Sequence, residues 1–332
     1  MAMSRPAYEV LSGFSLLLLF APLAFIGLFA AGIAMFLVAG LELLGDADWL
    51  LGGSLDSVRL LYDPGLDFDV EDFASDPVLA QERVMALVAS SPLALFVSAW
   101  VQNLAMVGAA AGLLFVELPV RRWVAQPAAP WSTVWREGLA VRAAPRRLVV
   151  TGLAAGLTVM WLPSFLVQFV DTYIMSLDDS SAAMLGDAIA GAGPWTLAFG
   201  AFTIALLVPL MEELLFRGFL WSLMERWAPP VVPLIVTTVV FALFHVSSAH
   251  ILGVLLIGFV AGWLRMHSGS VWPSVALHVV NNGLAVGLML LGSESSEEPS
   301  LLVLAGPAFA GGLATLGLIV LTWKWRKTIA SR

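Results

Sequence analysis

The stretch "VPLMEELLFRGFL", Val208 to Leu220, sets two glutamates and an arginine inside an otherwise apolar run. Each charge near the centre of a membrane helix costs about 2.5 to 3.5 kcal/mol, while each Leu or Phe returns only about 0.3 to 0.6. Three charges there call for a structural or chemical reason. The run is one of many: the chain of 332 residues is 60% hydrophobic and only 12% charged, with a mean hydropathy of +0.91. A soluble domain keeps roughly a quarter of its residues charged. The apolar runs are long enough for membrane helices and lack the short alternation of barrel strands. The expected fold is therefore an all-α, polytopic membrane helical bundle of about eight transmembrane helices.

The eight expected spans run over 15–41, 92–116, 148–170, 195–217 and beyond, 231–246, 251–264, 271–291 and 301–323. The first is too long for a cleaved signal and reads as a retained anchor. Residues 1–332 form a single membrane domain, 195–291 carrying the charged motifs and 45–83 an external acidic loop. Connecting segments alternate in sign. Residues 45–83 hold ten acids and two arginines, 117–147 six arginines and two glutamates, and 171–193 acids alone. With both termini cytoplasmic, thirteen of the sixteen Lys and Arg fall on the cytoplasmic side, the exceptions being Arg59, Arg83 and Arg217. That is the positive-inside pattern. The Lys-poor composition, rich in Ala, Arg, Trp and Gly, places the protein in a bacterial cytoplasmic (inner) membrane. Gly152 with Gly156, and Gly258 with Gly262, are small-residue pairs for close helix packing. There is no cysteine, so disulfides and thiolate chemistry are excluded.

Ionisable groups inside a span are functional candidates. Glu213 and Arg217 stand four apart, acid first, the favourable order for an ion pair. Glu212 points about 100° away, which leaves it for proton chemistry. Of four histidines, His245 and His278 lie within apolar segments, whereas His250 and His267 lie at span ends. Glu212 and His245 are each about 16 residues from the turn near Ala228 and should meet at one depth. His278 and Asn282 share a face of the seventh span, and Asn281 is expected to project elsewhere. A carboxylate and an imidazole can hold and deprotonate water, and a second His with an Asn can stabilise the oxyanion formed on a carbonyl. No serine has a nucleophile's setting.

"EELLFR", "FALFH" and "HVVNN" resemble, in order, the E-E-x-x-x-R, F-x-x-x-H and H-x-x-x-N motifs of the CPBP intramembrane protease family, also called the CAAX protease and bacteriocin-processing or Abi family. The resemblance covers about 195–291. It implies an eight-helix fold and a cytosol-accessible intramembrane site. Glu212 would be the general base and His245 would help hold the water; His278 and Asn282 would stabilise the oxyanion, with Glu213 and Arg217 in support. Such families are described both as metallopeptidases and as glutamate-dependent without metal. No H-E-x-x-H pair is present, and metal-independent water activation is favoured, so no cofactor is expected; a zinc site would take Glu212, His245 and His278.

The leading reading is an intramembrane endopeptidase cleaving a peptide near the cytoplasmic side. Its partners are a peptide or protein substrate and the lipid bilayer, not nucleic acid; oligomeric state is open. The composition leans away from a prenylated substrate. Two other classes stay open. A proton- or ion-coupled transporter would use the same buried groups, although the polar residues lie in the C-terminal part rather than in paired halves. A non-catalytic membrane protein that binds a partner needs none of the chemistry.

Overall fold

The computed structural model describes residues 5–44, 91–125, 132, 134–177, 185–186, 192–245, 247–292 and 301–330. Eight long helices carry most of those residues, and no strand occurs among them. They are α1 Arg5–Leu44, α2 Pro92–Ala125, α3 Arg146–Tyr173, α4 Pro194–Met224, α5 Val231–Leu243, α6 Ser248–Ser268, α7 Trp272–Gly292 and α8 Leu301–Ala330. All except α5 are long and apolar enough to cross a membrane. The protein is an integral membrane protein with an all-α polytopic fold. The acidic segment 45–83 lies outside the described residues.

The fifth and sixth expected spans change in ways that bear on the site. The fifth, expected to reach Val246, ends its helix at Leu243; 13 residues rise only about 20 Å, short of a bilayer's roughly 30 Å. Its end, carrying His245, therefore stops inside the bundle. The sixth, expected to be short, is a full 21 residues. Ser247 caps its start, accepting from the His250 N–H at 3.5 Å, and Gly269 ends it in the left-handed conformation at φ 67°. Polar cap residues hid those last turns from a hydropathy reading.

Glycine lets the central helices touch. A Cβ on Gly152 would lie 2.2 Å from the Pro273 carbonyl oxygen, and one on Gly156 would lie 2.5 Å from that of Leu277, so α3 and α7 pack backbone to backbone. Thr158 and Thr315 hydroxyls meet at 2.9 Å between α3 and α8. Phe20 of α1 packs on Phe219 of α4, ring centroids 5.1 Å apart. Leu18, Phe25 and Phe29 of α1, with Leu302, Phe309 and Leu313 of α8, are exposed. These outward apolar faces suit acyl chains.

One end of the bundle gathers the cations. Arg226 donates to both oxygens of Glu117, at 2.7 and 3.0 Å, and to Ser12. Arg265 pairs with Glu225 at 3.1 Å, and Arg147 lies over the Trp325 ring. The segment after a short π-helical turn, Val134–Gly138, folds into this end. Leu139 and Ala140 are each 1% exposed, and Val271 N–H donates to the Ala140 carbonyl at 3.2 Å. Ala140 holds a left-handed φ of 51°, rare for a residue with a side chain.

Candidate functional site

Helix α4 is not regular where its charges lie. π-helical stretches at Thr203–Leu207 and Leu214–Leu220 flank the α-helical Val208–Glu213. Such widenings frequently mark functional sites. The expected ion pair is present: Arg217 Nη1 donates to Glu213 Oε1 at 3.0 Å, both side chains fully buried. The guanidinium also donates through Nη2 to the Gly258 carbonyl at 2.9 Å and stands 4.5 Å from the centroid of the Phe241 ring. One cation thus fastens α4 to α6 and α5. Gly258 fits closely there: a Cβ would press on Arg217 Nη2 at 3.2 Å and on Phe241 at 3.1 Å.

His278 of α7 reaches both glutamates. Its Nδ1 lies 3.0 Å from Glu213 Oε1. A carboxylate held beside an arginine can only accept, so Nδ1 carries the hydrogen and the other ring nitrogen faces outward. That nitrogen, Nε2, is 3.7 Å from Glu212 Oε2. The gap is longer than a direct hydrogen bond, and a water sitting to one side can contact both atoms. The Glu212 side chain is 19% exposed against 1% for Glu213, which separates the two acids as their angular offset suggests.

His278 also forms the floor of a cavity of about 600 Å³. His245 lines it, with Nδ1 2.9 Å from the Phe241 carbonyl, so its Nε2 is the nitrogen free of that bond. The Phe241 ring stands between the imidazoles, 5.0 Å from His245 and 5.6 Å from His278. Asn282 lines the cavity too and donates from Nδ2 to the Ile204 carbonyl at 3.1 Å. The structure therefore brings His245, His278 and Asn282 to one space, with Glu212 and Glu213 reached through His278.

Three wall elements escaped the sequence reading. Asn281 lines the cavity, only 7% exposed. Its Nδ2 donates to Asn282 Oδ1 at 3.3 Å, and its Oδ1 has no hydrogen-bond partner among the described residues. Positions three and four after His278 lie equally close to its face, so the expectation that Asn281 projects elsewhere is corrected. His250 stands 5.7 Å from His245, ring to ring, because the Ser247 cap turns the first residues of α6 back over the cavity. Ser164, Gln168 and Asp171 of α3 line the opposite wall. Their spacing of four and three was the available signal. His267 stacks on Trp263 at the cationic end, away from the cavity. Ser274 donates to the Ala261 carbonyl, a structural bond. Among the described residues no group of three His, Asp or Glu side chains is placed to hold a metal ion.

Residues 194–284 match the family model of the Rce1-like type II CAAX prenyl endopeptidases. The matched segment runs from the start of α4 to two residues past Asn282, and it contains all six motif positions. The resemblance read from the three motifs and this match fall on the same helices. No curated protein and no solved structure matches the chain.

Proposed function

We propose that the protein is an intramembrane endopeptidase, in which Glu212 activates water for attack on a peptide bond. The family match supports protease activity in general. The observation that carries the finer reading is the relay Arg217, Glu213, His278, Glu212, each link within 4 Å, whose His278 lines a cavity also walled by His245, Asn281 and Asn282.

A water between Glu212 Oε2 and His278 Nε2 loses a proton to the carboxylate as its oxygen bonds to the carbonyl carbon. Glu213 and Arg217 fix the imidazole so that its lone pair meets that water. The amides of Asn281 and Asn282, each with one assigned acceptor, offer second hydrogens to the developing oxyanion. The water's second hydrogen, held by the His278 Nε2 lone pair, stays on the oxygen and leaves with the new acid, while His245 Nε2 faces the cavity as a further acceptor for the substrate. Glu212 then returns its proton to the leaving nitrogen, the C–N bond breaks, and the carboxylate is restored with an acid and an amine as products. No metal enters the sequence of steps.

Quantitative comparison of peptides released from membranes holding wild type or Glu212→Gln tests this. Peptides present with the wild type and missing with the variant are expected. An identical set from the two, with equal amounts of folded protein, rejects the hydrolase reading.

A further inference from the structure

We infer that the cavity is entered from the non-cytoplasmic side, so that the substrate is an internal peptide segment exposed at that face rather than a cytosolic, lipidated C-terminus. This rests on the hydrolase reading for the word substrate, but its geometry stands apart from catalysis.

The two ends of the bundle differ in charge. Arg142, Arg146, Arg147, Arg226, Arg265 and Lys324 all lie at the end where α3 begins and α4, α6 and α8 finish. Contacts hold that end together: Arg142 Nε donates to the Gly269 carbonyl, and Arg147 covers Trp325. Among the described residues no Lys or Arg lies at the opposite end. The asymmetry is that of the positive-inside rule, which makes the arginine end cytoplasmic.

The cavity runs away from that end. His278, its floor, is six residues into α7, about 9 Å from the arginine end. From there the walls climb past Ile257 and Gly253 to His250, near the start of α6. They reach Asp171 on α3, 25 residues beyond Arg146 or about 37 Å, and then Leu177 and Leu304. Between the floor and the arginine end the described residues pack closely. Leu139, Phe219, Trp221, Arg265, Val271 and Leu277 are each at most 1% exposed. The folded-in segment seals this plug, the Leu139 carbonyl lying 2.7 Å from where a Gly218 Cβ would be.

The walls also select. Among the described residues they contain no Lys or Arg and a single carboxylate, Asp171. A terminal carboxylate would find no fixed cation, whereas the uncharged backbone of a segment in mid-chain meets Ser164, Gln168 and the two asparagines. This departs from the cytosolic access that the family resemblance implies.

The cysteine-free chain permits a direct test by single cysteines in the full-length protein. Ser176→Cys lies beside the mouth, Ser164→Cys inside the cavity and Ala143→Cys at the arginine end, all three at exposed positions. In spheroplasts, a membrane-impermeant methanethiosulfonate is expected to modify the first two, and Ala143→Cys only after permeabilisation. Modification of Ala143→Cys in intact spheroplasts, or of Ser164→Cys only after permeabilisation, overturns the inference. Peptides lost in Glu212→Gln should map to non-cytoplasmic segments of their parents; a cytoplasmic origin overturns the substrate class. Because labelling needs no turnover, equal peptide release by wild type and Glu212→Gln would sink the hydrolase reading and leave the access result standing.

Discussion

Removing the Arg217 guanidinium isolates a buried acid. Arg217→Met keeps most of the side-chain volume but deletes the 3.0 Å bond to Glu213, the 2.9 Å bond to Gly258 and the stack on Phe241. Breaking a buried ion pair from one side is destabilising by about 3 to 5 kcal/mol, because the other charge stays desolvated. The side chains here are 0% and 1% exposed, so no solvent screens the remaining carboxylate. Against a total stability of about 5 to 15 kcal/mol, that is a large fraction. Adding Glu213→Gln removes the stranded charge while keeping an oxygen to accept from His278 Nδ1. The double variant should therefore recover at least about 2 kcal/mol, since replacing both partners of a buried pair is often close to neutral. Thermal unfolding in a fixed detergent, followed by tryptophan fluorescence, gives the order: wild type highest, double variant next, Arg217→Met lowest. Peptide cleavage should not recover with stability, because the neutral amide no longer fixes His278 as a carboxylate does. A single variant as stable as the wild type, or a double variant no better than the single, would refute the view of Glu213 as a buried anion held by Arg217.

Gly156→Ala should lower the unfolding midpoint, with overpacking of about 1 to 3 kcal/mol, because its Cβ would press on the Leu277 carbonyl and on Val280; an unchanged midpoint contradicts the α3 to α7 contact. Asn281→Ala should reduce kcat by about 100-fold or more, in the range for one oxyanion donor, with little change in midpoint. Full activity in that variant removes Asn281 from the site. Exhaustive chelation, checked by metal analysis, should leave cleavage intact; loss that zinc restores would assign Glu212, His245 and His278 as ligands.

The helices were legible because a bilayer allows little else: uninterrupted apolar runs must satisfy their backbones internally. Glu213 with Arg217 was legible for a related reason, since spacing four on one helix is local geometry. Partnerships between helices were less so. The sequence placed His278 with Asn282 and Glu212 with His245, whereas the structure sets His278 between the two acids. Helix rotation decides that, and rotation depends on contacts such as Gly152 on Pro273 that spacing alone does not supply. His250 was set aside because it ends a hydropathic span, yet the Ser247 cap makes it part of the first turn of α6. Loop charge marked one end of the bundle as basic, and the described arginines gather there, but which end the cavity meets needed the folded segment around Leu139.

Glu212 is the hinge of the account, and its turnover number is the measurement that bears on it most directly. Purified wild type and Glu212→Gln, in liposomes of one composition, are compared on a peptide identified from the released set. Cleavage by the wild type, with the variant lowered by about 100-fold or more at an equal unfolding midpoint, is the expected result. Equal rates would mean that another group takes the proton from water, and the relay ending at His278 would serve packing alone.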